Sequence, residues 1–409
     1  MTTSSTVTLP DLDIDTIVAR LAKLVVEHAA NVQPGQTVIV GSELGKETLT
    51  RAVVAAAYQH GAGFVEVNYD DPHVWHARVA HADPDTLEQY PDWYGRRLLA
   101  IGEAKAARIA FSGATEPHIM DDLDPALVGR EQHSARTEGM QVINDRSTSW
   151  TVAPCPTPGW AKLVHPDLDP DEALHRLWRE IAYVCRLDAD DPVAAWGERM
   201  EQLGTAASAL NAARFDAIRL VGPGTDLTVG LLPNSTWIFA DGETAWGSRH
   251  MPNLPSEEVF VTPDPFRADG IVRSTKPLFT NGALIEGLEV EFRDGRVVRI
   301  DADRNADVLR SQAAKDEGAS RLGELALVDG QGRIGATDTV FFDTLLDENA
   351  ASHIAIGAGY ALAAGSDAER ANTSSIHIDF MIGSPEVDVF GLAADGTEVP
   401  VLIGGNWQV

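Results

Sequence analysis

The chain has little cysteine, little positive charge and no long apolar run. Two cysteines in 409 residues, Cys155 and Cys185, make neither a disulfide framework nor a paired-cysteine metal knuckle, which suits a reducing compartment. Lysine and arginine total 32 against 61 aspartates and glutamates, a net charge of −29. That balance argues against the basic footprint nucleic acid requires and gives, at its plainest, a well-solvated surface. No apolar run reaches the ~18 residues of a membrane span. The opening MTTSSTVTLPDLDID has no basic region and no apolar run, so a soluble cytoplasmic protein without a signal peptide is expected. No GxGxxG follows the first expected strand, so a dinucleotide site has no support. The GPGTD run at residues 222–226 lacks the Gly-Lys-Ser/Thr ending of a phosphate loop.

What is present is a substantial core. Hydrophobic residues make up 44% of the chain, and its length suggests two or three domains. Residues 13–31 have apolar positions at helical spacing, and residues 45–60 form a second expected helix. Strands are expected at residues 37–40, 64–67, 107–111 and 141–144. Strands alternating with helices imply a parallel sheet covered on both faces. Residues 150–171, rich in proline and tryptophan, read as a wandering connection, and residues 173–184 and 192–214 as helices. From Asp216 the texture changes to short β-like runs separated by turn residues. The expected fold is an α/β N-terminal domain with a parallel sheet over residues 1–215. An α+β, β-rich C-terminal domain over residues 216–409 follows.

Two stretches of the second domain place ionisable groups among residues that are cheap to bury. Residues 346–360, LDENAASHIAIGAGY, hold Asp347, Glu348, His353 and Tyr360. From 350 to 364 the composition suggests a helix, with His353 and Tyr360 sharing one face and the two carboxylates at its start. Residues 375–382, SIHIDFMI, alternate as a strand, so His377 and Asp379 project from one face and Ile376, Ile378 and Phe380 from the other. Two further segments carry carboxylates beside apolar neighbours, Glu257 and Glu258 in NLPSEEVF and Glu324 in RLGELAL. Each taken singly has an ordinary reading, such as a solvent-facing glutamate or a hydrogen-bonded core histidine. Together Glu258, Glu324, Glu348, His353, His377 and Asp379 form an oxygen-rich set with two imidazoles. A single structural zinc would not use so many carboxylates. Two divalent ions ~3.5–4 Å apart would, and the implied chemistry is hydrolysis.

These motifs, in this order, resemble the M29 family of metallo-aminopeptidases, also known as the aminopeptidase T family. The resemblance extends over most of the chain and includes the GPGTDL turn, the WAK tract at residues 160–162 and the closing VPVLIGGNW. It implies an N-terminal α/β domain that helps enclose the active site of a homodimer, and a C-terminal catalytic domain with two divalent ions (Zn, Co, Mn or Mg). By motif, Glu258, Glu324, Glu348, His353, His377 and Asp379 would be the metal ligands, with Glu324 bridging. Glu348 could instead be a general base. Tyr360 would stabilise the tetrahedral intermediate. The substrate implied is a peptide with a free N-terminus. One departure is Ser352, which stands where relatives often have cysteine.

Two other functions fit part of the pattern. His353, His377 and Asp379 alone satisfy the two-histidine, one-carboxylate set of a mononuclear non-haem iron enzyme. Ring-cleaving dioxygenases of hydroxylated pyridines resemble this same family. A single iron, however, has no use for Glu258, Glu324 and Glu348 together. A non-catalytic acidic binding protein is the third reading, and the complete ligand set argues against it.

Overall fold

The structure, a computed structural model, describes residues 7–409 except residues 88, 125–126, 129–130, 132–135 and 281–282. The chain forms two compact units, one of Thr8–Gly197 with Ala240–Pro255, the other of Glu198–Phe239 with Ser256–Val409. This division differs from a single cut near Asp216. The chain changes unit inside the helix Pro192–Ala213 and returns once, at Ala240–Pro255, to the first unit.

In the first unit β1 (Thr37–Glu43), β2 (Phe64–Asp70), β3 (Ala107–Ser112) and β4 (Ser149–Pro154) form a parallel sheet in the order β2-β1-β3-β4. Helices Glu47–Gln59, Pro72–His81 and Asp92–Glu103 fill the crossovers that parallel pairing needs. Their starts follow local chemistry. Asp71, Thr157 and Asp169 each cap a helix by accepting from a backbone N–H, and each is followed by proline, whose missing N–H costs nothing at the first helical position. The same signal corrects two expectations. Residues 150–171 are not a wandering connection but β4 followed by the helix Pro158–Val164, which Thr157 caps. Residues 141–144, expected as a strand, end the helix Arg136–Asn144.

The second unit opens on the rest of the helix ending at Ala213, then β5 (Ala217–Gly222), β6 (Thr225–Leu231) and β7 (Ile238–Phe239). The returning segment carries the ribbon β8 (Gly242–Glu243) and β9 (Arg249–His250) in the first unit. Then come β10 (Glu258–Val261), β11 (Pro263–Arg273), β12 (Leu278–Thr280), β13 (Ala283–Ile285), β14 (Glu289–Arg293) and β15 (Arg296–Asp301). The last strands are β16 (Leu322–Val328), β17 (His353–Gly357), β18 (His377–Met381), β19 (Asp388–Leu392), β20 (Glu398–Ile403) and β21 (Asn406–Trp407). An eight-stranded sheet runs β15-β14-β11-β6-β5-β19-β20-β21, and a five-stranded antiparallel sheet runs β18-β17-β16-β10-β7.

One apolar core serves both sheets. It holds Leu220, Leu227 and Val229 from the larger sheet. From the smaller come Val259, Leu325, Leu327, Ile354, Ile356, Ile378 and Phe380. All of these are less than a tenth exposed. The residues alternating with this second set therefore lie on the other face of the five-stranded sheet. Among the described residues no helix is long and apolar enough to cross a membrane.

Candidate metal centre

Register decides what shares that other face. His353 faces Met381 and Ala326, while Ala355 faces Asp379 and Glu324. Gly357 faces His377, and Glu258 faces Val328, four residues along β16 from Glu324. Since residues two apart share a side, Glu258, Glu324, His353, His377 and Asp379 all project from one face of four adjacent strands. Ala326 and Ala355 lie among them, and their small side chains leave room. A register shift in β16 between Leu322 and Glu324 sits beside the central carboxylate.

The five side chains converge as two overlapping groups, Glu258–Glu324–His353 and Glu324–His377–Asp379. Within each group the candidate ligand atoms lie within 4.8 Å of one another. Glu324 belongs to both. Its Oε1 lies 3.7 Å from His353 Nε2 and its Oε2 lies 3.4 Å from His377 Nε2. Glu258 Oε2 lies 3.1 Å from His353 Nε2, and Asp379 Oδ2 lies 3.3 Å from His377 Nε2. Each imidazole is oriented from behind: His353 Nδ1 donates to Ala351 O at 3.1 Å and His377 Nδ1 to Ala358 O at 2.7 Å. With Nδ1 committed to a carbonyl, both Nε2 atoms are turned inward, the arrangement metal-ligating histidines use.

The donor set fits divalent cations. Asp379 Oδ1 is buried without a hydrogen-bond partner, and Glu258 Oε2 has only the His353 imidazole beside it. Buried charges of this kind are expected to be paired or to coordinate metal. Burial, and then neighbouring carboxylates, push Glu258 above the usual range despite His353. Glu348 is driven well above it, first by burial and then by Asp379 and Glu258. Burial opposes charge on His377, but Asp379 and Glu324 overcome it and push its pKa up to about 12. His353 is raised likewise, through Glu258 and Glu324. A site that holds protons this tightly is one with surplus negative charge.

The stretch expected as a helix over 350–364 is instead a strand and a return. Ile354 and Ile356 are β-branched and enter the core, so the alternation of β17 outweighs the small-residue composition. Asp347 and Glu348 do not begin a long helix. They lie in the short helix Thr344–Asp347 and the 3-10 turn Glu348–Ala350. Both Asp347 oxygens accept backbone N–H groups, from Phe341 at 2.7 Å and Asp343 at 3.1 Å. Glu348 faces the carboxylates electrostatically but belongs to neither ligand group. Tyr360 reaches the site by a route the helix expectation missed. Thr262 Oγ1 accepts from Tyr360 N at 3.1 Å and donates to Tyr360 O at 2.8 Å, and the ring meets His377 edge-on at 5.2 Å. The residue is 40% exposed, yet its phenol is held well above the usual range. Lost hydration at the hydroxyl end comes first, followed by Glu324, Asp379, Glu348 and Glu258.

Sequence reasoning missed the bracket behind Glu258. Arg199 is buried and donates through Nε to Glu257 Oε2 at 2.6 Å and through both Nη atoms to Asp329, at 3.0 and 2.9 Å. Glu257 N in turn donates to Asn349 Oδ1 at 2.7 Å. The residue before Glu258 and the residue after Glu348 are thereby joined. A lone arginine inside a long alanine-rich helix was the available signal.

A sequence profile for thermophilic metalloproteases (M29) matches residues 14–407. Aminopeptidase T of Thermus aquaticus is 40% identical over 400 residues, covering 95% of this chain and 98% of that protein. Aminopeptidase PepS of Streptococcus thermophilus is 38% identical over 403 residues, covering 95% and 97%. The solved structure of wild-type AmpT from Thermus thermophilus superposes with a TM-score of 0.90 at 39% identity, covering 97% of this chain and all of that one. With the family matched along nearly its whole length and the fold shared, the chain belongs to the M29 family of thermophilic metalloproteases.

Proposed function

We propose that this protein is a metallo-aminopeptidase that removes the N-terminal residue of peptides at a centre for two divalent ions. The observation that carries the reading is Glu324, which offers one oxygen to each of two ligand groups. One ion would be held by Glu258, Glu324 and His353, the other by Glu324, His377 and Asp379. A bound pair supplies Lewis acidity, lowering the pKa of water and polarising a peptide carbonyl. The remaining work falls to the chain. Glu348, which lies beside the ligand groups but belongs to neither, takes the proton of the attacking water and returns it to the departing amine. The Tyr360 hydroxyl donates to the oxyanion of the tetrahedral intermediate.

A mononuclear iron dioxygenase would use His353, His377 and Asp379 and leave Glu258 and Glu324 buried without a role. Nothing in the family match favours it. A chain with only two cysteines, both buried, suits a cytoplasmic setting, and the family resemblance implies a homodimer, which light scattering would test. The deciding experiment is elemental analysis of the purified protein with hydrolysis of a peptide panel. About two divalent ions per chain and chelator-sensitive release of the first residue are expected. One iron per chain, with oxygen uptake on a hydroxypyridine, would overturn the proposal.

A further inference from the structure

A second cavity, of about 380 Å³, opens in the unit that holds the metal centre, and none of Glu258, Glu324, Glu348, His353, His377 or Asp379 lines it. Its walls come from places where strands of the smaller sheet begin and end. They include Val328 at the end of β16, residues 350–352 before β17, residues 383–385 after β18, and Leu402 of β20. The volume suits a molecule the size of an amino acid or a dipeptide, within the ~300–1,000 Å³ of ordinary ligand pockets.

The lining is mostly apolar, with a single cation. Val328, Ala351, Pro385, Val387 and Leu402 supply apolar wall. Lys276 is the one lysine or arginine among the lining residues. Its side chain is 20% exposed, and its ammonium lies 3.6 Å from Asp338 Oδ1, beyond hydrogen-bond length, on a side chain that is 84% exposed. So loose and solvated a contact contributes little and is readily exchanged for another anion. The second lining carboxylate, Asp329, is already neutralised, since its two oxygens accept from Arg199 at 2.9 and 3.0 Å. Ser384 Oγ accepts from Glu386 N at 3.1 Å and keeps its own proton to donate. In a chain of net charge −29, a mostly buried lysine beside an apolar wall selects an anion with an apolar body.

We propose that this cavity is a binding site for a small apolar carboxylate, and that the metal centre responds to its occupancy. The carboxylate meets Lys276 and the Ser384 hydroxyl, while the apolar body lies against Val328, Val387 and Leu402. The wall at residues 350–352 makes the connection. Ala351 O accepts from His353 Nδ1, and Ser352 O accepts from Ile382 N and Gly383 N, both at 2.8 Å. One segment thus holds a candidate ligand and the end of β18. An occupant packed on that wall restrains the backbone that aims His353, which favours the metal-bound form. By linkage, metal then strengthens binding of the occupant by the same factor. Two sources carry this chemistry, a free apolar amino acid and the C-terminus of a peptide.

The test is calorimetric titration of metal-loaded protein with L-leucine and with N-acetyl-Ala-Leu, whose blocked amine denies it a substrate's α-ammonium. One molecule per chain is expected to bind. Lys276→Met should raise Kd about tenfold or more, and Lys276→Arg should change it little. Ala336→Phe, at an exposed lining position in the short helix Arg333–Ala336, should block the cavity without altering its charge. The amide of the blocked dipeptide, which lacks the carboxylate, should also bind about tenfold more weakly. Tighter binding of the dipeptide assigns the site to a peptide C-terminus, and tighter binding of leucine to the free amino acid. On chelated wild type, Kd should rise about fivefold or more, with melting temperature recorded for every form. A Kd unmoved by both Lys276→Met and Ala336→Phe, or no binding of either probe at millimolar concentration, would overturn the site. An equal Kd with and without metal would overturn its coupling to the metal centre.

Discussion

Tyr360 is not a ligand candidate, yet its ring touches His377 and Thr262 grips its backbone on both sides. Tyr360→Phe keeps the ring and removes only the donor. Turnover should fall ~10²–10³-fold with bound metal nearly unchanged, as for loss of one oxyanion donor. Normal turnover with a melting temperature lowered by a lost hydrogen bond would remove Tyr360 from the chemistry. Glu257 and Glu324 offer a sharper contrast, since both are buried glutamates. Glu324→Ala removes a carboxylate shared by both ligand groups and should abolish stoichiometric binding of either ion. Glu257→Ala leaves Arg199 still paired with Asp329 but without its second carboxylate. Breaking such a buried pair costs about 3–5 kcal/mol. Its signature should be lost stability with metal content reduced less than in Glu324→Ala. Equal metal loss in the two variants, at matched stability, would show that Glu324 is no bridge.

At the scale of elements, the alternation of IHIDF already placed His377 and Asp379 on one face, and the structure agrees. The alternation of HIAIG was equally visible, but small residues and the flanking alanines outweighed it in a helix reading. What no local pattern carries is register. Glu258, Glu324 and His353 meet only because β10, β16 and β17 pair at particular offsets. The shift beside Glu324 adds to this, and a lone arginine 58 positions before Glu257 signals a charge needing a partner without saying which carboxylate it meets. Gly323 is the residue at that shift. A Cβ there would lie 2.3 Å from Ala358 O and 2.4 Å from Gly357 O, both backbone atoms that cannot swing aside. Gly323→Ala should therefore force β16 and the chain after β17 apart and displace Glu324. We expect weaker metal binding, and a melting temperature lower by more than an ordinary glycine-to-alanine change produces. Unchanged metal affinity in a folded variant would mean that the aim of Glu324 does not depend on this close approach.

Over the whole molecule, the net charge of −29 is not spread evenly in its consequences. Most acidic groups are solvated, but Glu258, Glu324 and Asp379 are buried together against the core of one unit, and Glu348 shares their field. Two divalent ions would neutralise these four carboxylates. Metal bound to the folded state alone adds about 2.7 kcal/mol at a hundredfold excess over Kd. For a unit of this size each kcal/mol moves a melting temperature by about 2–4 °C. The centre lies wholly within Glu198–Phe239 and Ser256–Val409, so chelation should lower the melting of that unit and leave Thr8–Gly197 comparatively unmoved. Proton balance gives a second readout. Without metal, His353, His377 and Glu348 hold protons well above their ordinary pKa values. Ions that bind imidazole lone pairs and carboxylates must displace those protons. Calorimetric titration of chelated protein with a divalent ion near pH 7, in buffers of different ionisation enthalpy, should show more than one proton released per chain. The release should be complete after about two equivalents of metal. Saturation after a single equivalent would argue for one ion, and no release at all would mean that the ions do not bind at these side chains.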